Sequence, residues 1–161
     1  NMNKNNKGFT LIELLVVIAI IGLLASMIMV GLSSSRTKGR DARRIADLKE
    51  VQNGLEIYYM KFGEYPTEMA DWQDLKTALS QTGISQVPSD PTNSNDDPTA
   101  TCHYGYYSSQ DGQHYVLSAV LEDKNNSILN NDLDNGNFYG INLTGCGTGG
   151  AGTDTVYCIG M

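Results

Sequence analysis

The sequence predicts an α+β protein in which one long N-terminal helix leads into a domain with an antiparallel sheet. Residues 14–32 form an apolar run in which Ser26 alone carries a polar side chain. Residues 36–62 keep the three- and four-residue spacing of a helix but become amphipathic. The alternation typical of strands begins only after His103. Because helices precede strands instead of alternating with them, an antiparallel sheet is favoured over a parallel one.

The apolar run is long enough to cross a membrane. As a helix, its 19 residues would rise roughly 28 Å, close to the thickness of the hydrocarbon core of a bilayer. A cleaved secretory signal is the simplest alternative, because Lys4 and Lys7 precede the run. Two features oppose it: the run exceeds the usual apolar core of such signals, and Glu13 stands at its front edge. A carboxylate in an apolar helix costs about 2.5–3.5 kcal/mol on insertion scales, which makes Glu13 a functional candidate.

The residues around Glu13 carry a specific resemblance. Residues 8–13 read GFTLIE and are followed by the unbroken apolar sequence LLVVIAIIG. This segment resembles the class III signal of type IV pilins and type II secretion pseudopilins. The resemblance implies a pilin-like fold, cleavage by a prepilin peptidase between Gly8 and Phe9, methylation of the new N-terminal Phe9, and a role for Glu13 in assembly. Many family members have a proline in the apolar helix, whereas the first proline here is Pro66, which leaves open whether this helix loosens on assembly.

The same resemblance divides the chain and places it in the cell. Residues 1–8 are expected to be the leader, residues 9–35 the helix that spans the membrane and then forms the filament core, and residues 36–161 the globular domain. Before assembly the expected location is the cytoplasmic (inner) membrane, by a single-pass helix, and afterwards an extracellular or periplasmic filament. Expected partners are further copies of the chain, the prepilin peptidase, a pilus or secretion assembly platform, and the membrane.

The second half of the long helix has an apolar stripe that should pack on the sheet, while the apolar half projects from the domain. The stripe consists of Ala42, Ile45, Leu48, Val51, Leu55, Tyr59 and Phe62. The polar residues predicted to face elsewhere are Asp41, Arg44, Asp47, Lys49, Glu50 and Gln52. Gly63, followed by Glu64-Tyr65-Pro66, ends the helix.

Five basic residues lie just after the apolar run, at positions 36, 38, 40, 43 and 44. One interpretation is a solvated helix face directed toward lipid phosphates. The other is a contact with an acidic surface on a neighbouring subunit. A formal charge of −7 argues against a nucleic-acid footprint over the whole surface, so no specific nucleic-acid partner is inferred.

The remaining elements follow from turn and periodicity signals. Residues 68–81 read as a short helix with Gly83 as C-cap. Residues 104–108 and 114–121 are predicted strands, joined by an Asp-Gly hairpin turn at residues 110–113. Residues 137–142 and 155–159 are further strand candidates.

The chain has three cysteines, Cys102, Cys146 and Cys158, and no C-x-x-C pair. In an exported domain a disulfide is expected. Cys146 and Cys158 bracket a glycine-rich loop and are the favoured pair. That pairing leaves Cys102 as the odd thiol, although Cys102 paired with either partner stays an alternative.

Asn130, Asp132 and Asp134 supply oxygen ligands at alternate positions, which suits calcium. The loop resembles an EF-hand only loosely, since Gly136 is displaced by one residue and no glutamate stands at the twelfth position. The major pseudopilins of type II secretion have a calcium site in a comparable C-terminal loop. The alternative is an Asn-Gly turn in a polar loop. No cofactor is otherwise required.

No catalytic constellation is found in the sequence: His103 and His114 lie beside tyrosines in strand-like segments, with no motif that links them to a nucleophile. The chain is therefore not predicted to be an enzyme. The leading hypothesis is a structural subunit of a type IV pilus or related pseudopilus. The alternative is a membrane-anchored extracytoplasmic sensor or binding domain that does not polymerise. Such an anchor needs neither Glu13 nor loss of residues 1–8.

Overall fold

A computed structural model of the chain describes residues 8–69, 71–133, 137–142 and 155–161. It divides into two compact units, Asn1–Arg36 and Thr37–Met161. Helix α1, Leu11–Phe62, begins in the first unit and ends in the second. The second unit adds helix α2, Trp72–Ser80, strands β1, Tyr104–Ser108, and β2, Tyr115–Val120, a short 3-10 helix, Ser127–Asn130, and strands β3, Asn137–Phe138, β4, Ile141–Asn142, and β5, Val156–Gly160.

The main sheet is antiparallel throughout and has the strand order β1-β2-β5. Strands β3 and β4 form a separate two-stranded hairpin. The order of helices before strands and the antiparallel pairing confirm the predicted α+β, pilin-like class. The candidate strand at 137–142 is wrong in detail, because Tyr139 and Gly140 adopt positive φ and turn the chain back on itself.

One face of the main sheet packs against α1 and α2. The core contains Leu48, Val51 and Leu55 of α1, together with Leu75 and Leu79 of α2. The strands contribute Tyr104, Tyr106, Tyr115 and Leu117 to this cluster. A smaller cluster on the other face joins Val116, Ile141 and Cys158. The sheet is therefore covered on both faces.

Helix α2 begins later than the spacing predicted. Glu68 has φ of 59°, a left-handed conformation that cannot continue a helix. Asp71 is the N-cap instead, and its side chain accepts a hydrogen bond from Asp74 N. The C-cap is Gln81 and not Gly83.

The hairpin between β1 and β2 turns at the predicted Asp-Gly step. Gly112 has φ of 63°, which favours glycine. A Cβ at this position would also lie 2.9 Å from Glu64 Cβ. The turn is held to the segment that follows α1 by a 2.7 Å hydrogen bond from Tyr65 N to Gly112 O.

Candidate functional site

The N-terminal motif forms the start of α1. Thr10 is the residue before the helix, and Glu13 lies in its first turn. Glu13 Oε2 accepts hydrogen bonds from Thr10 N at 2.8 Å and Thr10 Oγ1 at 2.7 Å. Glu13 N donates in return to Thr10 Oγ1 at 3.3 Å. This is a capping box, in which a threonine and a glutamate three residues later satisfy helix N–H groups reciprocally.

The capping box gives the Glu13 carboxylate a local partner at the N-terminal end of the helix, where the helix dipole also favours a negative charge. Gly8 and Phe9 precede it and are both exposed. A Cβ placed on Gly8 would meet no atom within 4 Å. Thr10 was not singled out from the sequence as the partner of Glu13, although the pattern threonine-x-x-glutamate is present in it. The roles assigned to Gly8, Phe9 and Glu13 stay predictions.

The helix that follows is apolar on every side. Residues 8–28 are all exposed, including Ile12 at 71% and Ile28 at 67%. Within the described part of the chain, α1 is the one helix long and apolar enough to cross a membrane, with a mean hydropathy of 2.9 in its 18-residue window. A helix that is hydrophobic all round requires an apolar environment. The motif and this helix fit anchoring in a membrane.

A buried charge cluster lies in the second unit, within the basic segment for which the sequence left open a solvated helix face or a contact with a neighbouring subunit. The Arg44 side chain is fully buried. Its Nε donates to Asp90 Oδ2 at 2.6 Å, and its Nη2 donates to Asp90 Oδ1 and Thr92 Oγ1, each at 3.1 Å. Its Nη1 donates to Asp41 Oδ1 and Glu122 Oε1, each at 2.8 Å. The prediction that Asp41, Arg44 and Asp47 face away from the core is therefore wrong.

Asp41 makes a second connection, from α1 to the residues that follow strand β2. Its two carboxylate oxygens accept from the backbone N–H groups of Glu122 and Asp123, at 2.9 and 2.8 Å. Arg40 adds a bidentate ion pair with Glu122, through Nε at 2.6 Å and through Nη2. Three of the five bases in the predicted cluster, Arg40, Arg43 and Arg44, thus make ion pairs within this domain.

The ionisation of the cluster follows from these contacts. Burial opposes the charge on Arg44, but the hydrogen bonds to Asp90, Glu122 and Asp41 outweigh it and raise the pKa of Arg44. For Asp90, burial is likewise outweighed by hydrogen bonds from Arg44 and Thr92, so the pKa is lowered. The hydrogen bond from Arg40, followed by that from Arg44, lowers the pKa of Glu122 to about 2. Arg44, Asp90 and Glu122 therefore stay charged at neutral pH.

The predicted apolar stripe of α1 is only partly buried. Leu48, Val51 and Leu55 are in the core. Ala42 is exposed, and Phe62 remains 43% exposed. Asp47, predicted to face outward, accepts a 2.7 Å hydrogen bond from the Tyr104 hydroxyl. The buried face of α1 is therefore apolar at its centre and charged toward residue 41.

The cysteines and the loop around residue 132 are described in part. Cys102 is a half-buried free cysteine, and burial raises the pKa of its thiol. Cys158 is buried in β5, whereas Cys146 lies outside the described residues. The Cys146–Cys158 pair stays a prediction.

The predicted calcium ligands are likewise only partly described. Asp132 Oδ2 accepts a 3.0 Å hydrogen bond from Cys158 N, so this carboxylate is directed toward β5. Asp134 lies outside the described residues. Among the described residues, no group of three or more His, Cys, Asp or Glu side chains could hold a metal ion. Asp134 and the amide oxygen of Asn130 are not among these side chains, and the calcium site stays a prediction.

The two histidines make packing contacts. His103 Nδ1 lies 2.9 Å from Ala100 O. The His114 ring stacks on Tyr139 with a centroid distance of 3.6 Å.

Comparison with known proteins agrees with the N-terminal geometry. Residues 3–29 match the family described as the prokaryotic N-terminal methylation motif. The type II secretion system core protein G of Klebsiella michiganensis is 32% identical over 98 residues, which cover 55% of this chain and 69% of that protein. The type IV wide pilus major component PilA4 of Thermus thermophilus is 35% identical over 89 residues, covering 55% and 63%. The chain belongs to the family of type IV pilins and type II secretion pseudopilins.

The matched region is limited to part of each protein. For core protein G of Aeromonas hydrophila, 34% identity extends over 64 residues, which are 40% of this chain and 45% of that protein. The chain therefore spans about half the length of several curated relatives. No solved structure matches the chain.

Proposed function

We propose that this chain is a structural, non-enzymatic subunit of a type IV pilus or related pseudopilus. It is inserted in the cytoplasmic membrane by the apolar part of α1 and is drawn from there into a filament. The observation that carries the proposal is Glu13, a carboxylate placed in the first turn of a helix in which Ser26 is the one other polar side chain through residue 32. An anchor that only held a domain in a membrane would gain nothing from that charge.

Processing supplies the partner that Glu13 needs. Cleavage after Gly8 by a prepilin peptidase converts the Phe9 amide into an amine, which then becomes methylated. In the filament the carboxylate of one subunit pairs with the Phe9 amine of its neighbour and sets the axial spacing. Thr10 holds the carboxylate until that exchange, because the capping box satisfies Oε2 within the same chain. Apolar contact between neighbouring helices supplies the packing area.

The proposed partners follow from this sequence of events. They are the prepilin peptidase, an assembly platform of a pilus or secretion system, the membrane, and further copies of the chain. After assembly the globular domain lies on the periplasmic or extracellular side. There, we propose a disulfide between Cys146 and Cys158, and a calcium ion bound by Asp132, Asp134 and Asn130. The oxygen donors suit a hard cation.

The test is a matched pair of substitutions in the apolar helix. Glu13→Leu should leave membrane insertion and cleavage largely intact and yet reduce filament yield, and Glu13→Asp should give a partial loss. Ser26→Leu is the control. Its hydroxyl donates to Leu23 O at 2.7 Å within the same helix, so the change removes a polar group without removing a charge.

The readouts are intact-mass analysis of the native protein and electron microscopy of sheared filaments. Mature subunits should lack residues 1–8 and carry one added methyl group. Filaments of normal yield and normal helical rise from Glu13→Leu would contradict the ion-pair mechanism. Assembled protein that keeps its leader would contradict the assignment itself.

A further inference from the structure

Among the described strands, β1 is an edge of the main sheet with no further strand beside it. Tyr115 exchanges both backbone hydrogen bonds with Met161, each at 3.1 Å, so the backbone of residue 115 is directed toward β5. Because backbone groups alternate in direction along a strand, the N–H and C=O groups of Val116 and Ser118 are directed toward β1. There these two residues pair with Tyr107 and Gly105. The N–H and C=O groups of Tyr104, Tyr106 and Ser108 are consequently directed away from the sheet. No described residue hydrogen-bonds to these outward groups.

The opposite edge is closed by the chain itself. On β5, Cys158 O accepts a 3.0 Å hydrogen bond from Leu133 N, and Cys158 N donates to Asp132 Oδ2 at 3.0 Å. Residues 132 and 133 thus occupy the place of a further strand. An unpaired edge is a template for another strand, and proteins usually cover it. In the part of the chain that the structure describes, β1 is therefore the edge that stays open to a partner.

The space beside β1 is a groove with two walls. A cavity of about 440 Å³ is lined by Tyr106, Tyr107 and Ser108, and also by Met69 and Ile141. Met69 packs on the core at one face of the sheet, and Ile141 belongs to the core at the other. A cavity that touches both must lie at the edge between the two faces. A second cavity of about 120 Å³ continues along residues 104–107, beside Trp72.

The wall of this groove is acidic. Glu68 lines the larger cavity and Asp71 the smaller, and both are exposed. Asp96 also lines the smaller cavity, but its charge is compensated by an ion pair with Lys76. No described lysine or arginine lines either cavity. A strand that carries basic side chains would complement this wall.

We propose that the β1 edge binds an extended peptide segment of a partner protein, which adds as a fourth strand and places a basic side chain near Glu68 and Asp71. Main-chain hydrogen bonds to Tyr104, Tyr106 and Ser108 give affinity, and the acidic wall selects the sequence. This binding goes beyond the filament role, since it needs only the folded second unit. It is therefore tested on dispersed subunits, and failure of filament assembly would not affect the result.

The probe is the capped hexapeptide TVKVKT, labelled with a fluorophore and titrated by anisotropy into the full chain in detergent micelles. Its controls are TVEVET and a TVKVKT peptide with two alternate amides N-methylated on the edge-pairing side. Loss of two hydrogen bonds corresponds to about a thirtyfold weaker affinity. Hydrogen exchange before addition should show fast amides at Tyr106 and Ser108 and slow amides at Gly105 and Tyr107. Adding the peptide should slow hydrogen exchange at Tyr106 and Ser108.

A matched variant pair locates the site. Both Ser108→Pro and Ser108→Ala remove the Ser108 hydroxyl. Ser108→Pro also removes the outward backbone N–H, without removing a hydrogen bond to β2, whereas Ser108→Ala retains that N–H. Weaker binding by Ser108→Pro alone supports the proposal. Equal binding by the two variants, equal binding of the N-methylated peptide, or no binding at millimolar peptide would overturn it. Dimers that Ser108→Pro dissociates and the peptide does not would also overturn it, because the occupant would then be a second copy of the chain.

Discussion

Replacing Arg44 with methionine should destabilise the globular domain strongly. The side chain makes five hydrogen bonds, to Asp90, Asp41, Glu122 and Thr92, and it is fully buried. Methionine fills a similar volume but leaves the buried Asp41 and Asp90 carboxylates without a counter-charge. Breaking a buried ion pair from one side typically costs about 3–5 kcal/mol.

The remaining contacts place the expected cost within that range. Asp41 would keep the hydrogen bonds from the backbone of Glu122 and Asp123. Asp90 would keep those from Thr92 N and Oγ1, at 2.8 and 2.7 Å. Both carboxylates stay hydrogen-bonded but lose their charge compensation, so we expect about 3 kcal/mol, at the lower end. Adding Asp90→Asn to Arg44→Met should recover part of this loss, because one uncompensated charge disappears.

Arg43→Met is the matched control on the neighbouring residue. Its guanidinium lies 3.7 Å from Asp47 and its side chain is 65% exposed, so the change should cost less than about 1 kcal/mol. Urea unfolding of the full chain in micelles is the assay, followed by the fluorescence of Trp72. This single tryptophan is buried and donates to Pro88 O at 2.9 Å. Equal unfolding midpoints for the two variants would refute the argument that the cluster stabilises the domain.

Three further predictions concern acid, metal and thiols. Arg40 holds the pKa of Glu122 at about 2 in the folded chain, against an ordinary value of 4.5; this stability is present above pH 4.5 and is lost as the pH falls from there toward 2. Urea unfolding midpoints measured from pH 7 to pH 3 should decline only below pH 4.5, the ordinary pKa of the Glu122 carboxyl. This decline should be less steep in the Arg40→Gln variant. If calcium is bound, a chelator should lower the melting temperature, and Asp134→Ala should abolish this response; a chelator-insensitive chain would leave the loop an ordinary turn. Non-reducing peptide mapping should find Cys146 linked to Cys158, worth roughly 3 kcal/mol in the chain-entropy model, whereas three free thiols in exported protein would contradict that pairing and the extracytoplasmic location.

The parts of the fold that the sequence predicts are those set by local signals. The spacing of apolar residues is sufficient to predict α1, because the backbone hydrogen bonds of a helix and the side chains on its buried face both recur within four residues. The turn at Gly112 is predicted by an Asp-Gly step, since only a local conformation is required. The position of Glu13 in the first helical turn follows in the same way. Thr10 was equally legible, because a capping box is a pattern of four residues.

The charge cluster could not be predicted in this way. Arg44 reads as a surface residue in a periodicity analysis, because lysine and arginine are rarely buried unless paired. Its partners Asp90 and Glu122 lie 46 and 78 residues away. No window of the sequence shows that the three meet. The later start of α2 has a similar origin, since nothing in the composition around Glu68 predicts a positive φ.

Arg44 and Glu13 are both charged residues of α1, but they differ in how accessible the charge is to a partner. Arg44 is enclosed by acceptors from its own domain, so another subunit would have to break buried ion pairs to reach it. Glu13 is exposed and bonded to the neighbouring Thr10 alone among the described residues, so exchanging that partner for an amine requires no unfolding. A capping interaction contributes about 1 kcal/mol, whereas a carboxylate in apolar surroundings costs more than that. Glu13 is consequently available for the proposed association between subunits, whereas Arg44 is a fixed part of the domain.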